Sequence, residues 1–519
     1  MMRLDLQHIG FRRGLFLAFV FGFVVRLVPE VLSFPYPIGF DTVYYAARMK
    51  SGVVWYHWSS LFSTWLVYAI LVPLYSLTKV DPFLLLKVVG PLLYGGTAAG
   101  IYYFACEGLN WSVKKCLFAS VFFVFQLAAL GISWHFYRNM LGLMLLLFAL
   151  PFFKKTESWR EIALLAAVSL LVMFGHEYAS VAILAIVLGL VASRFLKKEK
   201  MPYRVLIAIF PAFIVFFGSI YFRIFPASFR VATNVIRVND MVNPRPGGLF
   251  FLVDYLGVAT PIQNYASYFE LASHVVSLFA LLYLVWLPLV LVGFFRDKIL
   301  DGWTILLLIG SFGCLIVPFS ALDLWHRWML MLIFPFTFYA VNGFWKVLKS
   351  RDTWVASGLR WMSWMKISRK SAIGISGVTV LLGSLFMTWP LISGRYGLFG
   401  ASTTWKYFPS TMQSSSVPLQ DTEGTVKAIE WLDEHVTDGS AVLVHDVFFF
   451  WSELYLDEDH TVILFTSNLE AALSLALENG FSSAYFVWWN ENIGWYGFTV
   501  PSDFVSVFES GRISVFQVL

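Results

Sequence analysis

Apolar runs of about 20 residues, separated by short polar turns, recur along most of the chain, and each is long enough as a helix to cross a hydrocarbon layer of about 30 Å. Eleven crossings are predicted, at about residues 15–32, 84–106, 116–133, 140–153, 161–175, 178–195, 203–222, 271–295, 302–319, 329–345 and 371–390. A further apolar stretch, 59–78, is rich in Ser, Thr, Tyr and Trp. It reads as an interfacial or re-entrant helix inside a first outer loop spanning 33–83, because a full crossing there would put the next basic turn on the wrong side.

Beyond residue 390 the pattern changes. Gly, Ser, Thr and Pro fill a linker over 391–420, and then strand-like AVLV (441–444) and TVILF (461–465) alternate with helix-like segments at 425–436 and 468–480. That alternation predicts a small α/β domain over 421–519. The fold class expected is therefore an α-helical polytopic membrane protein of about 11 transmembrane helices over 1–390, carrying a small C-terminal extracytoplasmic α/β domain.

Composition excludes an ordinary soluble protein: 59% of the 519 residues are hydrophobic and 13% charged, too few to cover a water-facing surface. The net charge of +5 matters less than its distribution. Arg3, Arg12 and Arg13, then Lys114 and Lys115, Lys154 to Arg160, Arg194 to Arg204, Arg296 and Lys298, and Lys346 to Lys370 all fall between apolar runs and read as cytoplasmic. An odd number of crossings then leaves the C-terminus outside, and residues 390–519 hold 16 of the 32 acids but only four Lys or Arg. The expected location is the cell membrane, multi-pass, N-terminus cytoplasmic, with the first run a retained signal anchor. Cys106, Cys116 and Cys314 share no metal or disulfide spacing and read as packing thiols. Neither a sequence repeat nor a nucleotide-binding glycine motif is present, and no nucleic-acid partner is expected.

With sides assigned, ionisable residues costly near a bilayer collect on the outer face. Arg26 and Glu30 lie near the outer end of the first run, and Asp41 follows in PYPIGFDTVYYAARM (35–49). SWHFYRN (133–139) brings His135 and Arg138, GHEYAS (175–180) brings His176 and Glu177, and ALDLWHRW (321–328) brings Asp323, His326 and Arg327. A long outer loop over 223–270 adds Arg230, Arg237, Asp240, Arg245 and Asp254. An acid at a membrane mouth can take a proton from an acceptor, while Arg holds a phosphate bidentately and His donates to it or shuttles a proton. Bland roles stand beside these. Asp41 is placed to cap a helix starting at Thr42, Arg26 and Glu30 have the spacing of a helical ion pair, and Asp323 with His326 and Arg327 could form a local salt bridge. No metal is assigned; a divalent ion would need Asp41, His135, His176 or Glu177 to converge.

The layout resembles the GT-C superfamily of membrane glycosyltransferases, which includes protein O-mannosyltransferases, aminoarabinose transferases and oligosaccharyltransferases. PIGFDTVYY is similar to the acid-bearing first-loop segment of archaeal members, and the likeness covers residues 10–390. The resemblance implies inverting transfer of a sugar from a polyprenyl (dolichyl) phosphate carrier to a glycan, lipid or protein acceptor on the outer face. Asp41 would be the base, Arg26, Arg138 and Arg327 the carrier-phosphate ligands, and His176 and Glu177 would shape the acceptor side. The second outer turn has His135 where many relatives place an acid, and WWNEN (488–492) is like the oligosaccharyltransferase WWD motif only superficially. Two other functions compete, a polyprenyl-linked lipid transporter or flippase and a non-catalytic scaffold whose outer domain binds partners. Against the transporter, the sequence shows no paired interrupted helices and keeps its ionisable residues near one face.

Overall fold

The structure, a computed structural model, describes residues 10–36, 38–52, 58–222, 234–238, 265, 267–316, 324–350, 354–356, 366–392, 412, 415–437, 439–457, 459–490 and 500–518. The first half of the helical region contains α1 (Phe11–Leu32), α2 (Thr42–Ser51), α3 (Leu66–Thr78), α4 (Pro82–Tyr103), α5 (Val113–Val124), α6 (Leu127–His135), α7 (Tyr137–Ala149), α8 (Trp159–Gly175) and α9 (Glu177–Leu196). Its second half contains α10 (Tyr203–Tyr221), α11 (Tyr268–Tyr283), α12 (Leu287–Gly293), α13 (Lys298–Phe312), α14 (Trp325–Met331), α15 (Ile333–Lys349) and α16 (Arg369–Ile392).

Among the described residues eight helices are long and apolar enough to cross a membrane, and ten if two bent pairs each count as one span. The bent pairs are α5 with α6, at 65°, and α11 with α12, at 74°. Every predicted apolar run folds as one of these helices or pairs, with the 17-residue α8 completing the series. The stretch 59–78 forms a 3-10 turn and the 13-residue α3. At 1.5 Å per residue that helix is about 20 Å long, short of the roughly 30 Å hydrocarbon layer.

Small residues let α1 and α4 approach closely. A Cβ on Gly22 of α1 would lie 2.7 Å from that of Ala98 and 3.1 Å from the Gly95 Cα on α4, so only glycine admits the approach. The two helices run antiparallel, with the Tyr102 hydroxyl donating to the Phe11 carbonyl at 3.0 Å. That end of the bundle also gathers ion pairs, Lys154–Asp297 and Lys155–Glu107 at 2.6 Å each and Lys298–Glu199 at 3.3 Å.

One sequence expectation fails here. Cys106 and Cys116 form a disulfide with Cα atoms 5.9 Å apart, rather than packing as separate thiols. No spacing motif announces it; a chain reversal between α4 and α5, with Asn110 at φ 54°, brings the two together. Cys314 is the buried free cysteine of the described residues.

The α/β domain comprises α17 (Leu419–His435), β4 (Ser440–His445), α18 (Asp446–Tyr455), β5 (Thr461–Phe465), α19 (Leu469–Glu478), β6 (Ser483–Trp489), β7 (Val505–Ser510) and β8 (Ile513–Gln517). It also takes in β1 (Asn234–Arg237) from the 223–270 loop, so its sheet is not confined to residues 421–519. β2 (Trp354–Ala356) and β3 (Lys366–Ser368) pair separately as a short antiparallel ribbon.

The six-stranded order is β1-β5-β4-β6-β8-β7, parallel from β1 to β6 and antiparallel at the β7–β8 hairpin. β4 is buried along its whole length, as expected of a central parallel strand covered on both faces. Asp421 locks α17 to the sheet by accepting two bonds from Arg512, at 2.9 and 2.7 Å, and one from the Trp489 indole at 3.0 Å. The domain docks on the first loop, 33–83, through α18. The Arg48 guanidinium meets Glu453 at 3.3 Å, and the Tyr44–Phe450 and Phe83–Trp451 rings meet at 4.9 and 5.7 Å.

Candidate active site

Asp41 owes its place to the turn before it. Gly39 has φ +128°, and a Cβ there would collide with the Trp134 carbonyl and the Thr42 hydroxyl, so the turn can approach α6 only with glycine. The Thr42 hydroxyl donates to the Ile38 carbonyl at 2.8 Å, and the Asp41 amide donates to His135 Nδ1 at 3.2 Å. Asp41 occupies the residue before α2, yet its carboxylate makes no capping bond to that helix. Capping therefore does not account for the acid.

Two guanidiniums act on it. Burial pushes the Asp41 carboxyl up to about 6 from its ordinary 3.8, against the opposing pull of Arg327 and then Arg138. Arg138, at the start of α7, donates to the Thr64 hydroxyl at 2.9 Å and lies 3.8 Å from Glu177. The same Glu177 oxygen is 3.7 Å from His176 Nε2, while His176 Nδ1 accepts the Tyr178 amide at 3.1 Å and so caps α9. Arg327 stands over the Phe136 ring at 4.8 Å, immediately beyond His135, with His326 half-buried beside it. The turns that carry His135 and Arg138, His176 and Glu177, and His326 and Arg327 thus converge on the first loop. Asp323 lies outside the described residues, as do Arg230, Asp240, Arg245 and Asp254.

Arg26 does not join them. It is fully buried between α1 and α4, 2.7 Å from Glu30, and no charge of this group is among those acting on Asp41. Lys87 closes the group by donating to the Glu30 carboxylate at 3.3 Å, the Ser33 hydroxyl at 2.9 Å and the Tyr36 carbonyl at 2.7 Å. The ion-pair role is the one Arg26 fills.

The α/β domain completes the surroundings. A cavity of about 470 Å³ is lined by Phe40, Asp41 and Val43 from the first loop and by His445, Asp446 and Phe450 from the α/β domain. Arg237, Leu464 and Thr466 also line it, so the cavity sits where β1, β4 and β5 end. Carboxyl ends of parallel strands are where open α/β sheets bind ligands.

The half-buried Asp446 accepts the Thr466 hydroxyl at 2.6 Å, and His445 Nδ1 accepts the Val447 amide at 3.1 Å. Arg237 lies 5.5 Å from the Phe449 ring centroid. Asp446 is the residue that sequence reasoning missed. Its signal was an acid directly after the apolar AVLVH strand, and only the docked domain shows that this strand end faces Asp41. Trp488 and Trp489 of WWNEN are core residues, 3% and 1% exposed, and present no binding face.

Among the described residues no three His, Cys, Asp or Glu are grouped to hold a metal ion. No protein-family model matches the chain, and neither does any curated protein.

Proposed function

We propose that the chain is a GT-C-like membrane glycosyltransferase that moves a sugar from a polyprenyl-phosphate carrier to an acceptor at the outer face. The observation that carries this reading is the Asp41 carboxylate, unused as a helix cap, on a cavity wall and within the field of two guanidiniums. Asp41 takes the proton of an acceptor hydroxyl. The acceptor oxygen forms its bond to the anomeric carbon as the carrier phosphate leaves from the opposite face with the bonding pair, so the centre inverts. Arg138 and Arg327 neutralise the charge gathering on that phosphate, with Glu177 orienting Arg138.

The proposed topology has eleven crossings, counting α8 and each bent pair as one, with the N-terminus cytoplasmic. It is supported by the docking of α2, β1 and the C-terminal domain at one end of the bundle, while Lys154, Lys155 and Lys298 pair at the other. Even numbers of crossings between the first loop, the 223–270 loop and the domain match that shared end.

One observation favours a lipid transporter. The bent pairs at 113–135 and 268–293 are interrupted helices in separate halves of the bundle, contrary to the sequence expectation of none, and broken helices build transporter sites. The charged cluster around Asp41 nevertheless lies at the end where the soluble domain docks.

Purified protein in lipid, given radiolabelled polyprenyl-phosphate sugars and a crude acceptor extract, tests the two readings. Native chain should transfer sugar and Asp41→Asn should not. Transfer that survives the substitution removes Asp41 as base, whereas lipid movement between leaflets without turnover favours the transporter.

A further inference from the structure

The cavity beside Asp41 is lined by a second carboxylate, that of Asp446. Asp446 comes from the first residue of α18, whereas Asp41 comes from the first outer loop more than 400 residues earlier. Ionised carboxylates only accept hydrogen bonds, so a ligand placed between the two must bring donors. Arg237 also lines the cavity, within the field of Glu453. Phe40, Phe449 and Phe450 give the lining an aromatic part beside the acids. A volume of about 470 Å³ is that of a small-molecule site and too little for an extended chain. Hydroxyl donors at the rim with an apolar face in the middle describe a sugar ring, which sets its C–H face on an aromatic ring and turns its hydroxyls to acids.

We infer that this cavity is a glycosyl-binding site shared by the two halves of the molecule, in which Asp446, held by Thr466, receives the hydroxyls of a carbohydrate acceptor and presents one of them to Asp41. The inference rests on the transferase reading for its acceptor role, and it narrows the acceptor from glycan, lipid or protein to a glycan. Asp446 is a binding residue here; it takes no proton and the bond changes remain those at Asp41.

Binding and turnover are separated in the test. Full-length protein in lipid nanodiscs is photolabelled with diazirine-bearing methyl mannoside, methyl glucoside and methyl N-acetylglucosaminide, and the adducts are mapped by mass spectrometry. At least one probe should label Val43 or the Phe449–Trp451 segment, with competition by the unlabelled glycoside. Asp446→Asn and Thr466→Val should weaken that labelling about tenfold or more, the equivalent of one charge-assisted hydrogen bond. Should Asp446→Asn fail to fold, Val43→Trp fills the cavity from the first loop and carries the same expectation. Labelling in the cavity without any transfer activity leaves the glycosyl site standing and removes the transferase. Transfer that proceeds while no probe labels the cavity, or while labelling ignores all three variants, overturns the inference and spares the transferase.

Discussion

Two groups of buried charge lie near each other at the domain-bearing end of the bundle, made of the same residue types and put to different ends. Arg26, Glu30 and Lys87 are enclosed together: Arg26 is 0% exposed and Glu30 1%, and Lys87 donates to Glu30, Ser33 and Tyr36. Glu30 also accepts the Ile38 amide at 3.4 Å, so the closed group clamps the segment that leads into the Gly39 turn. Asp41, Arg138, Arg327 and Glu177 remain open. Arg138 and Glu177 approach only to 3.8 Å, and the Asp41 carboxylate faces a cavity. The difference teaches that charge type does not mark the site. What marks it is whether the charges are enclosed between packed helices or gather beside an acid that borders a cavity.

The largest effect is expected on the open group. Asp41→Asn should lower sugar transfer by about 10²–10⁴-fold, the usual worth of a general base, without lowering the melting temperature in detergent. Glu30→Ala should do the reverse. It strands Lys87 and Arg26 without their counter-charge, which typically costs about 3–5 kcal/mol, read as a large fall in melting temperature. Equal loss of stability in both variants would erase the distinction between closed and open groups.

A smaller effect follows for the carrier side. Removing either guanidinium, as Arg138→Ala or Arg327→Ala, should raise the KM for the polyprenyl-phosphate sugar about ten- to a hundredfold, since each supplies a hydrogen bond from a charged group. Unchanged carrier KM in both would move the phosphate away from this cluster.

The pH profile gives the finest test. Asp41 must be ionised to accept a proton, and with its carboxyl raised to about 6, transfer should fall tenfold per pH unit below 6 and level off above about 7. The sign for stability is opposite. The folded chain binds this proton more tightly than the unfolded one, so ionising Asp41 costs stability as pH rises from about 4 to about 6. Above pH 6 Asp41→Asn should therefore unfold no earlier than the native chain. A profile that levels off near pH 4 would mean that Asp41 is not the titrating base.

Much of the helical half was legible along the chain, because a bilayer demands long apolar runs whose backbone bonds close within one segment. The short reach of 59–78 was legible too, from its interfacial residues. Helix breaks were less so: the 113–135 and 268–293 runs are mostly apolar, and hydropathy by itself does not distinguish a straight helix from one bent by 65° or 74°. Asp41, Arg138 and Arg327 were visible as polar residues in outer turns. Arg26 looked equivalent, since a guanidinium enclosed between helices and one that acts on Asp41 read alike along the chain.

Local pattern by itself determined which segments are helices, where the acids and bases concentrate, and that an acid stands just past the first long helix. Only tertiary structure decided which charges neutralise one another, that Cys106 meets Cys116, that a strand of the 223–270 loop enters the C-terminal sheet, and that Asp446 shares a cavity with Asp41. The reason is range. Hydropathy and helix periodicity are set by neighbours a few residues away, whereas a site is made of groups hundreds of residues apart, and its chemistry depends on what each has been packed against.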